Sequence, residues 1–120
     1  MSTVTGLVPW GLARVSGASM VPAFYDGDRL LVHYGAAVGP GDVVLARDPR
    51  DPALVLLKRI ARREGGGWWL LADNPYAPGD SRQFGAVPDA LVLGRVAGRL
   101  WPPRWLRGFG PGRPRPRLRR

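Results

Sequence analysis

Glycine and proline interrupt this chain at short intervals, 17 Gly and 13 Pro in 120 residues, and that punctuation limits what it can fold into. Between the interruptions lie short runs rich in Val, Leu and aromatic residues, at 30–34, 43–47, 54–62, 68–72 and 91–99. No window of useful length carries the periodicity of an amphipathic helix. Short apolar runs bounded by turn residues read as antiparallel strands. The expected fold is therefore mainly β, with small coiled antiparallel sheets closing into a partial barrel. Asp26-Gly27-Asp28, Gly39-Pro40-Gly41-Asp42 and Gly65-Gly66-Gly67 are turn chemistry, because Gly accepts positive φ and Asp bonds its own backbone. Asp26, Asp28 and Asp42 accordingly read as turn residues, and no metal or other cofactor is assigned.

Charge divides the chain. The first 99 residues balance to +2, whereas residues 100–120 hold seven Arg and no acid. A nearly neutral body is not built to bind nucleic acid, so nucleic acid is not an expected partner of the fold. Three segments follow: a weakly ordered start at 1–12, a folded unit at 13–100, and a Pro/Arg-rich tail at 101–120. The final dozen residues read as disordered, with Trp101, Trp105, Leu106 and Phe109 packing back on the domain. No Cys is present, which excludes disulfides and a thiol nucleophile. The stretch 1–13 is too short to span a membrane and lacks the basic start of a secretory signal, so a soluble, cytoplasmic chain is expected.

Scarcity singles out the reactive groups. The chain uses 17 Arg but a single lysine, Lys58. Arginine stays protonated in proteins, while lysine can give up its proton. Lys58 ends Ala53-Leu54-Val55-Leu56-Leu57, the most apolar run, which reads as a strand buried on both faces. Desolvation there should lower the amine's pKa and free it as a base; the alternative is an amine that snorkels to water. Serine is also scarce, and Ser19 stands in Ser16-Gly17-Ala18-Ser19-Met20-Val21-Pro22, where small residues let a substrate backbone approach. His33 alternates with apolar neighbours and reads as an ordinary strand histidine.

With Ser19 and Lys58 together, the sequence resembles the type I signal peptidase family of serine proteases, which use a Ser/Lys dyad. The resemblance covers residues 15–96. It rests on the Ser16–Pro22 box, Pro40-Gly41-Asp42-Val43-Val44, Leu57-Lys58-Arg59-Ile60, and Asp73-Asn74 with Gly79-Asp80-Ser81-Arg82, in the family's order. It implies Ser19 as nucleophile and Lys58 as general base. Gly17, Ala18 and Met20 would serve the oxyanion hole, and Asp80, Ser81 and Arg82 would support the site. Two positions depart from the pattern. Gly17 stands where some members place a hydroxyl, and Pro78 stands where a family serine orients the lysine. Within the family, the chain is similar to the maturation proteases of nickel-type superoxide dismutase, through Val32-His33-Tyr34-Gly35 and Trp68-Trp69. The implied partner is a precursor protein bound as an extended peptide, from which an N-terminal extension is removed.

Three other readings compete with this one. The Arg-rich tail with its Trp and Phe could bind nucleic acid or an anionic membrane surface. A self-cleaving domain of the SOS-repressor kind shares the dyad, but only residues 1–15 precede the first box. A signal peptidase acting on exported preproteins is the remaining alternative. Oligomeric state is left open.

Overall fold

The computed structural model describes residues 9–101 and 103–105, the last three by their backbone. Eight strands form one antiparallel sheet: β1 (Trp10–Arg14), β2 (Arg29–Tyr34), β3 (Val43–Asp48), β4 (Asp51–Glu64), β5 (Gly67–Leu71), β6 (Val87–Pro88), β7 (Val92–Trp101) and β8 (Pro103–Trp105). Their order is β1-β2-β7-β3-β4-β5-β6, and β8 pairs with β7. The one α-helix among the described residues, α1 (Ser81–Phe84), has four residues. The mainly β expectation holds. Among the described residues no helix is long and apolar enough to cross a membrane, and no group of three or more His, Asp or Glu could hold a metal ion.

The sheet coils around two cores, and β3 lies between them. Val43 and Leu45 point into a cluster with Val15, Met20, Phe24, Leu30, Val32 and Val96. Val44 and Ala46 point the other way, onto Ile60, Leu70 and Val87. Alternate residues of a strand face opposite sides, so one apolar run can serve both clusters. Fully buried side chains such as Phe24, Met20 and Leu30 contribute about 1.5–3 kcal/mol each. Gly94 allows the β2–β7 contact, since a Cβ there would meet the His33 carbonyl oxygen at 2.8 Å.

The two-face burial expected of 54–57 is corrected. Leu54 and Val55 are 52% and 49% exposed, and the strand closes over only as it reaches Lys58. The cause is register. β3 pairs with β4 along its whole first half, but β5 is matched only to residues 59–64. Among the described residues the outer edge of 51–57 therefore carries no strand, and the strand buried on both faces is β3.

The turns follow the sequence reading. Asp26 accepts from Gly17 N, Asp28 from Tyr25 N and Asp42 from Gly39 N, each at 2.9 Å. At the start, β1 begins at Trp10, inside the segment expected to be weakly ordered; residues 1–8 lie outside the described residues. At the other end the sheet runs on to Trp105. Trp101 is 67% exposed and does not pack back, although β7 pairs it with Arg29 of β2. Leu106, Phe109 and the final dozen residues lie outside the described residues, and nothing is described of the Trp105 side chain.

Candidate functional site

Ser19 opens the turn that follows β1. The turn is held from within by Val21 N donating to the Ala18 carbonyl (3.2 Å) and Phe24 N to that of Met20 (2.8 Å). Met20 and Phe24 are buried and anchor it to the first core, leaving Ser19 half-buried and Ser16, Gly17 and Ala18 exposed. Gly17 sits at φ +87°, a conformation that favours glycine over a residue with a side chain. Its N–H is engaged by Asp26. Among the described residues no hydrogen bond uses the Ser19 N–H.

Lys58 reaches the same place from β4, paired opposite Val44, and is 4% exposed. Burial pushes its amine below the ordinary lysine range; the Asp80 carboxylate opposes that shift and the Arg82 guanidinium adds to it. Ser19 and Lys58 line one cavity of about 290 Å³. Its walls are Ala13, Arg14 and Val15 on one side and Val55, Leu56 and Leu57 on the other. Leu30 and Leu45 also line it.

The Asp80 group is not part of the cavity lining but acts electrostatically on the Lys58 amine. Asp80 is fully buried and caps α1, with Gln83 completing a reciprocal capping box. Its carboxylate accepts from Arg82 Nε and Nη2, both at 2.9 Å, and from the backbone N–H of Ala72 (2.9 Å) and Arg82 (3.0 Å). Burial pushes the carboxyl up, but these four bonds outweigh it and hold the group below the usual carboxylate range. The Ser81 hydroxyl, buried too, accepts from Leu70 N at 2.8 Å and so pins α1 to β5. Pro78 is exposed and has no donor for the amine. His33 stacks on Trp10 at 4.3 Å between ring centres and does not line the cavity.

Sequence reasoning quoted Arg59, Asp73 and Asn74 but gave them no task. The Arg59 guanidinium grips Asp73 with two bonds, Nε at 2.9 Å and Nη2 at 2.8 Å, and donates to the Gly41 carbonyl. Next to Asp73, Asn74 donates its backbone N–H to the Ser19 carbonyl (2.9 Å) and Nδ2 to that of Ala18 (3.1 Å). The residue after Lys58 is thereby tied, through Asp73 and Asn74, to the turn that carries Ser19. Chemically, the site offers a hydroxyl, an amine biased towards neutrality, a cavity of mixed polar and apolar lining, and a backbone donor not used among the described residues.

Residues 8–96 match the family described as peptidase S24-like. The chain is 37% identical to the mitochondrial ATP-independent inner membrane protease subunit 1a of Arabidopsis thaliana, over 77% of this chain and 71% of the relative. It is 32% identical to the mitochondrial inner membrane protease subunit 1 of Xenopus tropicalis, over 80% and 70%. The human subunit 1 is 30% identical over 77% and 70%.

Proposed function

Since the chain belongs to the peptidase S24-like family, we propose that it is a serine endopeptidase in which Ser19 is the nucleophile and Lys58 the general base. The observation that carries the reading is the shared cavity, which the buried Lys58 and the half-buried Ser19 both line. Neutral Lys58 takes the proton from Ser19 Oγ as the oxygen attacks the scissile carbonyl, and later returns it to the leaving amine. Water then releases the acyl group from Ser19. The Ser19 N–H stabilises the tetrahedral oxyanion, while Gly17, Ala18 and Met20 shape the turn around it. Asp80, Ser81 and Arg82 are positioning residues. The precursor lies extended along the edges of β1 and of residues 51–57 in β4, which no strand among the described residues pairs.

The narrower proposal is a precursor with a short N-terminal extension, that of a nickel-type superoxide dismutase, which rests on the sequence resemblance. The likeness to mitochondrial inner membrane protease subunits favours a second substrate, a preprotein processed at a membrane. The test is incubation of the chain with each precursor and mass measurement of the products. Ser19→Ala and Lys58→Arg should each abolish the cut while leaving a folded protein. Appreciable cleavage by either variant refutes the dyad. Preferential cutting of the membrane preprotein moves the assignment to the second substrate.

A further inference from the structure

The register of β1, β2 and β7 lines up three rows of residues on one sheet face. Trp10 stands opposite His33 and His33 opposite Arg95. Leu12 stands opposite Leu31 and Leu31 opposite Gly98, while Arg14 faces Arg29 and Arg29 faces Trp101. Directly paired residues of antiparallel strands project on the same side. The alternate positions Leu30, Val32 and Val96 fill the first core, with Ala13 packed against it, so the three rows face the other way. Leu12 and Trp101 are 68% and 67% exposed, and Arg14 and Arg29 are exposed too. The face is aliphatic at its centre, carries a tryptophan at two opposite corners, and holds cations but no acid. Arg95 lies at its margin, since the next residue in that row, Val44, belongs to the second core. Its Nε is the one buried side-chain nitrogen or oxygen among the described residues without a hydrogen-bond partner.

Such a face fits a partner that is apolar beneath an anionic layer. Covering the leucines gains hydrophobic free energy, and phosphate oxygens match the guanidiniums. Tryptophan favours the boundary of the two, because its ring is apolar and its N–H polar. A nucleic acid would find aliphatic side chains where bases need aromatic planes to stack on. A second copy packed by twofold symmetry would set arginines against arginines. From the Trp101 corner the chain continues within 100–120, a stretch of seven Arg and no acid, which adds charge of the same sign. We propose that this face of β1, β2 and β7 docks on an anionic lipid surface, its leucines and tryptophans entering the headgroup layer and its arginines taking phosphate oxygens. Docking by this face is independent of the chemistry at Ser19.

The experiment is partition of the full chain onto vesicles, read by sedimentation. Vesicles of phosphatidylcholine mixed with phosphatidylglycerol should bind the chain at least about tenfold more tightly than phosphatidylcholine alone. Arg14→Gln/Arg29→Gln should weaken binding to the anionic vesicles by about fivefold for each charge removed. Leu12→Gln/Trp101→Gln keeps the net charge and should weaken it by at least about tenfold, through lost apolar contact. Tyr76→Gln, at a 92% exposed side chain off this face, should leave binding unchanged. Lipids with brominated acyl chains should quench the fluorescence of the wild type more than that of Trp10→Phe/Trp101→Phe. Anionic-vesicle binding that neither the arginine nor the leucine–tryptophan variant weakens would belong to the residues after 105 and would overturn the face. Absence of binding would overturn it as well. So would tighter binding to a single-stranded oligonucleotide that survives Leu12→Gln/Trp101→Gln.

Discussion

Replacing Asp80 with Asn tests the support of the site, because the change keeps shape and removes only charge and one acceptor. In the wild type, Oδ1 accepts from Arg82 N and Nε, and Oδ2 from Ala72 N and Arg82 Nη2. An asparagine has one carbonyl oxygen, so one backbone N–H, of Ala72 or of Arg82, must face an NH₂ group. Leaving such a donor unsatisfied costs about 1–3 kcal/mol. Loss of the ion pair adds less than about 1 kcal/mol, since the Arg82 side chain is 43% exposed and can rehydrate. Asp80→Asn should therefore destabilise the fold by about 1–4 kcal/mol, and Asp80→Ala, which removes every acceptor, by about 3–5 kcal/mol. Urea unfolding followed by tryptophan fluorescence reads both, with the slope unchanged. The loss has a pH signature. The folded carboxyl titrates below its ordinary 3.8, so its stabilisation is present above about pH 4 and disappears as pH falls through the folded value. The wild-type and variant curves should converge in acid. A cost below about 0.5 kcal/mol at neutral pH would refute the claim that this carboxylate anchors the site.

Three further outcomes follow from the same geometry. The wild-type rate should rise with pH and level off before the ordinary lysine value of 10.5, because burial lowers the Lys58 amine; a limb centred at or above that value would contradict the base assignment. Arg82 lowers and Asp80 raises that amine. Arg82→Gln should therefore move the limb to higher pH and Asp80→Asn to lower pH, as pH–rate profiles of the two variants will show. Asn74→Ala removes the bond to the Ala18 carbonyl, and with it the local one that Oδ1 accepts from Tyr76 N. It should lower kcat about three- to tenfold, the worth of about one neutral hydrogen bond, with little change in KM and an unmoved pH limb.

What the sequence made legible was local. Gly and Asp announced the turns, and the scarcity of lysine drew attention to Lys58. What stayed hidden depends on register. The run 54–57 reads as a buried strand, and alternation cannot reveal that β5 stops short of it and leaves Leu54 and Val55 in solvent. The Arg59–Asp73 grip spans fourteen residues, and Asn74 meets Ala18 across fifty-six. The opposition of Arg14 and Arg29 exists only once β1 and β2 are aligned. Ser19 and Lys58 were legible because their residue types are rare here and their neighbours small or apolar. The brace that joins them was not, because Arg and Asp at those positions look like any solvated pair.

The central claim is that the Lys58 amine is neutral in a pH range where an ordinary lysine is charged. Since the chain holds a single lysine, labelling lysine with ¹⁵N yields one side-chain amine signal to follow by NMR across pH. A midpoint below 10.5 is expected. A midpoint at or above 10.5 would leave Ser19 without a base and contradict the account.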